Sequence, residues 1–425
     1  MPGTLIFKHV VLLGAYTSFL LMGAVTVQAA TYYVALSGND AHSCTTAQTI
    51  ATPKKTIAAG VACLNPGDTL FIRSGTWTES IDTGTKEGTT GNYITIAAYP
   101  GEVVTLQPIS TPSCKYAIVP RRMNYMVLKG LIWDGINGCP EPYGMRIVDG
   151  THHLIVESME FKNGQYNGIY VGDADNITIR HNRIHDQIST TGLPGTRYYG
   201  IYFHHGTNSV IEGNEIYSNP GGGIHAYPGP ITNLVIRNNR LHHNNNLASS
   251  NVEGILIFEG GGTPINGVQI YNNLVYMNGV NQPDGGTSGG IRVSNGPDGT
   301  KIWNNTIYGN KNWGINVQAG TNPPTNTVIQ NNIVHANTSG QITNAGIGSI
   351  IDHNVTTNPN VVNAAAFNFT LQTSSPAIDA GVFLSQVPKD FRNATRPLGF
   401  THDIGAYEGS SESSLLSPPR NLRVQ

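Results

Sequence analysis

Side chains that bind carboxylates or move protons recur at one position of a short repeated phrase in this sequence. The phrase is Gly-Ile-x-Val with variations, and its x position holds Arg146, Tyr170, Tyr202, His225, Leu256, Arg292 and Asn316 in successive copies. Two positions further on, the copies hold His204, Tyr227, Phe258, Ser294 and Gln318. A guanidinium binds a carboxylate, a neutral imidazole accepts a proton near pH 7, and a phenol can donate one. If the copies lie side by side, these residues form a candidate acid–base site.

A second phrase follows each of these and ends in a fixed Asn after alternating apolar residues. The marker residues are Asn182, Asn214, Asn239, Asn273, Asn305, Asn332 and Asn354. Period-2 alternation rich in Val and Ile predicts short strands, and no segment between them has the period of a crossover helix. A unit that recurs every few dozen residues predicts a stack of coils.

Stacking places the x residues in one outward column on one sheet, because the flanking Ile and Val point inward. Neighbouring strands of a sheet lie about 4.8 Å apart, so residues of a column contact one another. Three long insertions, at 186–199, 244–253 and 278–289, are predicted to wall this sheet into a groove. The polar aromatic side chains of three consecutive coils then meet at its centre: Tyr170, Tyr202, His204, His205, His225 and Tyr227.

The marker Asn has a structural explanation. A sharp corner favours a residue that tolerates left-handed backbone angles, and Asn does so. Its amide can also bond the same amide one coil above and one coil below, as in Asn ladders. Gly130 and Ser158 are predicted to hold this corner in earlier coils.

The ends of the chain are predicted to close the stack. Residues 53–64 are expected to form a short amphipathic helix with Thr52 as N-cap and Pro53 at its first position, followed by the first strands within 66–81. This helix covers an exposed sheet edge. We expect a β-helix domain over 30–408, with caps at about 50–66 and 349–408 and a flexible tail at 409–425.

Residues 1–29 have the pattern of a secretory signal, with one Lys, an apolar stretch and Val27-Gln-Ala29 before a polar segment. The mature protein is therefore expected to be secreted, periplasmic or at the cell surface. In that oxidising setting the four cysteines are expected to pair by nearest neighbours, as Cys44–Cys63 and Cys114–Cys139.

Charge is scarce and nearly balanced, with 24 Lys and Arg against 26 Asp and Glu, for a formal net charge of −2. No basic stripe indicates nucleic acid as a partner, and no stretch after residue 29 has the length of a membrane span. We expect a monomer whose partner is a polysaccharide.

The motifs at both ends carry a family resemblance. The segment Pro66-Gly-Asp-Thr-Leu-Phe-Ile-Arg-Ser-Gly-Thr-Trp and the repeats resemble secreted right-handed parallel β-helix proteins of the pectate-lyase-like superfamily. The stretch from Ser375-Pro-Ala-Ile-Asp-Ala-Gly to Asp403-Ile-Gly-Ala-Tyr-Glu resembles the terminal segment of many such bacterial exoproteins. The resemblance implies an all-β, right-handed parallel β-helix. It leaves the activity open, because the superfamily contains lyases, hydrolases, epimerases and non-catalytic proteins.

The candidate residues favour β-elimination on a uronic-acid polysaccharide. The expected base is His225 or His204, and the expected acid is Tyr202 or Tyr170. Arg146 or Arg292 would hold the sugar carboxylate. Tyr227, His205 and Glu259 are expected to contact substrate.

One local segment resembles a known lyase strand. Tyr202-Phe-His-His-Gly206 is similar to the Arg-His-Gly strand of alginate and chondroitin lyases of this fold, with His204 in place of the Arg. Lys162 is the one plausible Lys base near a groove strand, and no upstream Asn-Lys motif accompanies it.

Two alternatives stay open. A glycoside hydrolase needs two carboxylates at a fixed separation. The candidates near the groove rim or at strand ends are Asp173, Asp175, Asp186, Glu253 and Glu259. Asp173-Ala-Asp175 can be a corner turn or a Ca²⁺ site, Ca²⁺ being the one candidate cofactor. A non-catalytic glycan-binding or surface β-helix would show the same bare repeats.

Overall fold

The computed structural model describes residues 28–107, 118–119, 122–135, 144–188, 198–244, 253–280 and 289–409. Short parallel strands dominate it, and each is hydrogen-bonded to the equivalent strand one coil earlier and one coil later. Successive strands along the chain belong to different sheets, so that three long sheets run along one stack of coils. The predicted all-β parallel β-helix is confirmed.

The sheet that carries the x residues is called the groove sheet. Its strands, in stacking order, are Met145–Ile147, Ile169–Val171, Tyr199–Phe203, Gly222–Ala226, Glu253–Phe258, Gly289–Ser294, Trp313–Gln318 and Gly340–Asn344.

The second sheet is called the long sheet. Its strands are Thr31–Val34, Thr69–Ile72, Ile94–Ala98, Met126–Lys129, Leu154–Glu157, Thr178–Arg180, Val210–Glu212, Val235–Arg237, Gln269–Tyr271, Lys301–Trp303, Val328–Gln330 and Ile350–Asp352.

The third sheet is called the back sheet. Its strands are Gly75–Trp77, Val104–Leu106, Ile132–Asp134, Glu160–Lys162, Arg183–His185, Glu215–Tyr217, Arg240–His242, Leu274–Tyr276, Thr306–Tyr308 and Ile333–His335.

Smaller elements complete the described residues. Two small parallel sheets contain Thr151–His152 with Ala174–Asp175, and Gly206–Thr207 with Ile231–Thr232 and Ile265–Asn266. Val361–Asn363 pairs antiparallel with Asn368–Leu371. The helical segments are Thr46–Gln48, Ile57–Ala62 and Ala364–Ala366. Nowhere in the described ranges is a helix both long enough and apolar enough to cross a membrane.

The core follows from the alternation. Inward residues of all three sheets meet in one apolar cluster along the axis of the stack, and Ile201, Ile224 and Ile255 are typical members with at most 1% exposure. Each strand is too short to bury a face alone, so the stacking of coils supplies the burial that stabilises it.

The predicted Asn ladder is present at the corner between the long sheet and the back sheet. Each amide Nδ2 donates to the Oδ1 of the Asn one coil later, at 2.9–3.0 Å, from Asn182 through Asn214 and on to Asn354. Each Nδ2 also donates to a backbone carbonyl, as Asn273 does to Ile236 at 2.9 Å. Every ladder amide therefore has its partners inside the protein.

The backbone of this corner differs from the prediction by one residue. The left-handed residue is the one before each ladder Asn, for example Asn238, Asn272 and Asn304. Gly130 and Ser158 also have positive φ, so they hold this left-handed position. The ladder position of the 158 coil is Met159, whose backbone N–H donates to Asn182 Oδ1 at 2.9 Å. Gly130 and Ser158 therefore align with the residue before each ladder Asn and not with the ladder Asn itself.

The N-terminal cap was predicted as a helix with the wrong bounds. The helix is Ile57–Ala62, and its N-cap is Thr56, whose side chain accepts from the Ala59 N–H. Lys54 instead pairs with Val34 in a parallel bridge, which keeps the chain before the helix extended. The strand Thr31–Val34 precedes the helix and pairs with Thr69–Ile72, so placing the first strands within 66–81 was also wrong.

A disulfide ties this cap together. Cys44 and Cys63 are bonded, with their Cα atoms 5.5 Å apart, as predicted. Cys114 and Cys139 lie outside the described residues, and their pairing stays a prediction.

The C-terminal segment packs against the left-handed residues of the last coils. The Asn272 amide donates to the Lys389 carbonyl, and the Asn304 amide donates to that of Asp403. Within the segment, Arg396 and Glu408 form an ion pair with both side chains fully buried. Asn residues at this left-handed position thus attach the end of the chain to the stack.

Candidate functional site

The register of the groove sheet confirms the predicted column. Arg146 pairs with Tyr170, Tyr170 with Tyr202, and Tyr202 with His225. The column continues through Leu256, Arg292 and Asn316, and it ends at Thr343. The second column is present as well, since Phe258 pairs with Ser294 and Ser294 with Gln318.

Arg146, Tyr170 and His204 form a half-buried cluster at one part of this sheet. The Arg146 guanidinium carbon lies 5.5 Å from the Tyr170 ring centre. The ring of His204 lies 6.0 Å from that of Tyr170 and 6.0 Å from that of Tyr202. These three side chains and that of Tyr202 keep part of their surface exposed. This cluster joins a cation, a phenol and an imidazole on the face that solvent reaches.

The environment sets the protonation of two of these groups. Burial lowers the pKa of His204, and the neighbouring His205 lowers it further, so the imidazole is neutral at neutral pH. Burial raises the pKa of Tyr170, although the nearby charge of Arg146 opposes this. The phenol therefore keeps its proton. A neutral imidazole beside a protonated phenol is a base beside an acid.

His225 lies deeper than the sequence suggested. Its side chain is 1% exposed. The rings of Tyr199, Tyr202 and Tyr227 surround it, with centres at 4.4, 5.3 and 5.4 Å. From this position His225 can orient Tyr202 and Tyr227, but its own ring is covered.

Arg292 belongs to a buried ion pair. Its Nη1 atom lies 3.1 Å from Glu253 Oε1, and the two residues are 4% and 2% exposed. Glu253 is the first residue of its groove-sheet strand, which fits the prediction of a place near the rim or at a strand end. Sequence reasoning missed this pairing because the two residues hold different positions in their phrases.

The other residues that were predicted to contact substrate are His205, Tyr227 and Glu259. His205 is half-buried, with its ring 4.3 Å from that of His204. Tyr227 is half-buried against Phe258 at 5.2 Å. Glu259 is half-buried at the end of the Glu253–Phe258 strand.

Asp173 and Asp175 occupy a corner. Asp173 is exposed, and its backbone has the left-handed conformation. Asp175 Oδ1 accepts from both the backbone N–H and the hydroxyl of Thr207, at 2.7 Å each. In the described part of the chain, no three His, Cys, Asp or Glu side chains are grouped to hold a metal ion. These contacts fit a turn, and a Ca²⁺ ion at this corner stays a prediction.

Two other candidates lie on a different sheet. Lys162 ends a back-sheet strand and lies 3.6 Å from Glu160. As predicted, it comes just before a groove strand along the chain, which is Ile169–Val171. Asp186 bonds His185 Nδ1 at the corner of the back sheet. Most of each predicted wall lies outside the described residues, in 189–197, 245–252 and 281–288, so the walls of the groove stay a prediction.

The comparisons with known proteins agree with this architecture. Residues 136–302 match the family model described as "Right handed beta helix region". The chain is a right-handed parallel β-helix. This β-helix is similar to the crystal structure of pectate lyase Pel9A, with a TM-score of 0.64 and 18% identity over 89% of this chain and 96% of that one. It is also similar to a structure described as a glycoside hydrolase, with a TM-score of 0.51 and 9% identity over 81% of this chain and 99% of that one. No curated protein sequence matches this β-helix significantly.

Proposed function

We propose that this β-helix is a secreted polysaccharide lyase that cleaves a uronic-acid-containing polysaccharide by β-elimination on the groove sheet. The observation that carries the proposal is the half-buried cluster of Arg146, Tyr170 and His204. The reaction needs a cation on the sugar carboxylate, a base for the C5 proton and an acid for the leaving O4. These three side chains offer one group for each task.

His204 fits the role of base better than His225. Its imidazole is half-buried and its lowered pKa keeps it ready to accept a proton, whereas His225 is covered by three tyrosines. His204 takes the proton from C5 as the C5 electron pair forms the C4–C5 double bond. The C4–O4 bond then breaks, and its electron pair leaves with O4.

Tyr170 supplies the proton that O4 requires. Its phenol keeps the proton because burial raises its pKa, and its ring lies 6.0 Å from that of His204. Base and acid therefore lie on neighbouring coils. In the substrate, the C5 proton and the leaving O4 are likewise attached to neighbouring carbons, C5 and C4. Tyr202, at 5.5 Å from Tyr170, is the second candidate acid.

Arg146 is the favoured partner of the substrate carboxylate. A guanidinium neutralises the carboxylate and thereby stabilises the carbanion that develops at C5. Arg292 is less suited to this task, because it is buried against Glu253. We assign His225 to positioning, through its contacts with Tyr202 and Tyr227.

The setting of the protein is part of the proposal. The signal pattern in residues 1–29 and the disulfide Cys44–Cys63 support secretion to an oxidising compartment. We propose a monomer that acts on its polysaccharide outside the membrane.

A product assay tests the reaction class. The purified protein is incubated with polygalacturonate, alginate, glycosaminoglycans and neutral glycans. A lyase releases a C4–C5 unsaturated uronate, which absorbs in the ultraviolet, and forms one such end per cut. New reducing ends without that absorbance would instead indicate a hydrolase, and binding without any cut would indicate a glycan-binding protein.

Variants test the residues. Arg146→Ala, Tyr170→Phe and His204→Ala should each lower turnover while leaving the melting temperature close to that of the unaltered protein. Matched controls on other sheets are Tyr33→Phe on the long sheet and His335→Ala on the back sheet. Full activity of all three groove variants would overturn the assignment.

A further inference from the structure

A cavity of about 210 Å³ lies between the outward face of the long sheet and the C-terminal segment. We propose that it binds one acidic sugar unit, that is, a single sugar ring that carries one carboxylate. The inference goes beyond the proposed lyase function and does not depend on it, because the residues that line this cavity differ from the groove cluster of Arg146, Tyr170 and His204.

The sheet side of the cavity is a column of outward residues from three consecutive coils. The register pairs Glu212 with Arg237 and Arg237 with Tyr271. Arg237 Nε donates to Glu212 Oε2 at 2.7 Å, and Nη1 donates to the Tyr271 hydroxyl at 3.0 Å. Arg237 Nη2 also lies 2.6 Å from Glu212 Oε2. These contacts use three of the five N–H groups of a guanidinium, so Arg237 is held in place and can still donate to a ligand.

The opposite side of the cavity belongs to the C-terminal segment, and its backbone is tied down. The Asn272 amide donates to the Lys389 carbonyl at 2.6 Å. Lys389 also pairs with Thr395 in an antiparallel bridge, and the Asn393 N–H donates to the Asp390 carbonyl at 3.0 Å. The side chains of Lys389 and Asn393 are exposed where they line the cavity. This wall therefore combines a fixed backbone with two polar side chains that a ligand can reach.

Asn238 indicates where an oxygen of the ligand would lie. The amides of Asn272, Asn304 and Asn331, each at the left-handed corner position, donate to backbone carbonyls of the C-terminal segment. Asn238 holds the same position one coil before Asn272, and it lines the cavity. Its amide is thus placed to donate to a ligand oxygen at the point of the coil where its counterparts bind a carbonyl.

The charges that line the cavity favour a ligand with one negative charge. Arg237 and Lys389 contribute two positive charges, and Glu212 contributes one negative charge, which leaves one positive charge in excess. Arg237 is already paired with Glu212, so the excess charge lies at Lys389 on the exposed wall. An ammonium binds a carboxylate through charge-assisted hydrogen bonds. One carboxylate on the ligand would balance the cavity.

The other groups of the lining suit a sugar ring. The amides of Asn238 and Asn393 can each donate to and accept from hydroxyl groups. Pro388 and Tyr271 contribute apolar groups, which can pack against the C–H groups of a sugar. The volume of about 210 Å³ lies below the roughly 300–1,000 Å³ of sites for drug-sized ligands, so the cavity suits one ring better than several.

A titration with small ligands tests the chemical class. The full protein is titrated with galacturonate, glucuronate, methyl glucoside and sulfate, and binding is followed by NMR of the sugars, with sulfate as a competitor. We expect a uronate to bind roughly tenfold or more tightly than methyl glucoside, because only the uronate balances the charge of Lys389. Failure of both uronates to bind would overturn the proposal. Sulfate that competes as strongly as a uronate binds would show a site for simple anions and would overturn the assignment to a sugar.

Variants of the lining locate the site. Lys389→Ala removes the ammonium, and Asn238→Gly removes the amide while keeping the left-handed backbone, since Gly213 holds that position one coil earlier. The matched controls are Lys129→Ala, on the long sheet, and Asn208→Gly, at another left-handed corner.

Each cavity variant should weaken uronate binding by roughly fivefold or more, and each control should stay within about twofold of the unaltered protein. Uronate binding that is unchanged in both cavity variants would place the sugar elsewhere and overturn the inference. The test does not use cleavage, so a negative product assay would overturn the lyase function and leave this site standing.

Discussion

The ladder corner and the groove sheet use the same coils in opposite ways. At the corner, every coil from 182 to 354 repeats one residue, and each Asn makes the same bonds to the next coil. On the groove sheet, the outward column changes from Arg to Tyr, His, Leu, Arg and Asn within the same coils. One surface is uniform and the other is varied.

The difference shows where the stack permits function. A buried amide in a ladder must find its partner in the next coil, so a change in one coil leaves donors or acceptors unsatisfied in two others. In the outward column of the groove sheet the contacts differ from coil to coil, from the rings of Tyr170 and Tyr202 at 5.5 Å to the ion pair of Arg292 with Glu253. Side chains there can differ without breaking the coil, and the cluster of Arg146, Tyr170 and His204 lies on that surface.

A second ladder strengthens this distinction. Asn219, Asn244, Asn278, Asn310 and Asn337 are linked by amide hydrogen bonds of 2.9–3.0 Å at the corner that leads into the groove sheet. The groove strands thus begin next to a uniform buried corner, and this corner fixes the register of each groove strand relative to the next. The varied residues are held in place by repeated ones.

The sharpest test of the varied surface is His204→Ala. We expect kcat to fall by about 10²- to 10⁴-fold, because the base is lost. The melting temperature should change little, since His204 is half-buried and takes no part in either ladder. Turnover is followed by the absorbance of the unsaturated uronate, with His335→Ala on the back sheet as control. A large drop in stability with normal turnover per folded molecule would place His204 with the structural residues.

The corresponding test of the uniform corner is Asn273→Leu. Its Oδ1 accepts from Asn239 one coil earlier and its Nδ2 donates to Asn305 one coil later. Replacement should therefore lower the free energy of unfolding by about 1–3 kcal/mol. Turnover per folded molecule should be preserved. Denaturant unfolding measures the change, and Asn266→Leu, an exposed Asn outside the ladder, should stay within about 0.5 kcal/mol. Equal losses in both variants would argue against a structural role specific to the ladder.

The sequence was sufficient for the repeated parts and less so for the rest. The period-2 alternation predicted the outward column, because it determines which side of a strand each residue faces. The second ladder carries a comparable signal, an Asn five positions after the marker, as in Asn214 and Asn219, but sequence reasoning missed it. Side-chain pairs between residues of different coils could not be predicted from the repeats. Glu253 and Arg292 meet because their strands are adjacent in space, and nothing in either phrase indicates it.

The pH dependence of activity sharpens the contrast between the two regions. The pKa of His204 is below its ordinary value of 6.5, and the base must be neutral. As pH rises through that lowered pKa, kcat/KM should increase about tenfold per pH unit and then reach a plateau below neutrality. Asn does not titrate, so the stability difference between Asn273→Leu and the unaltered protein should be the same across this range. A kcat/KM that shows no decrease on the acid side of its plateau would argue against His204 as the base.

The smallest expected effect comes from extending the ladder by one coil. Met159 occupies the ladder position before Asn182, and its N–H already donates to Asn182 Oδ1 at 2.9 Å. In Met159→Asn the new amide can donate to that same oxygen, and this bond offsets part of the lost apolar burial. We expect the free energy of unfolding to change by less than about 1.5 kcal/mol.

Met145→Asn is the matched control, because Met145 is equally buried but points into the apolar core from the groove sheet. That variant should lose more than about 2 kcal/mol, since its buried amide has no ladder to join. Equal losses in urea unfolding would show that the ladder position offers no special place to an Asn, and the contrast between the two surfaces would then rest on the groove variants alone.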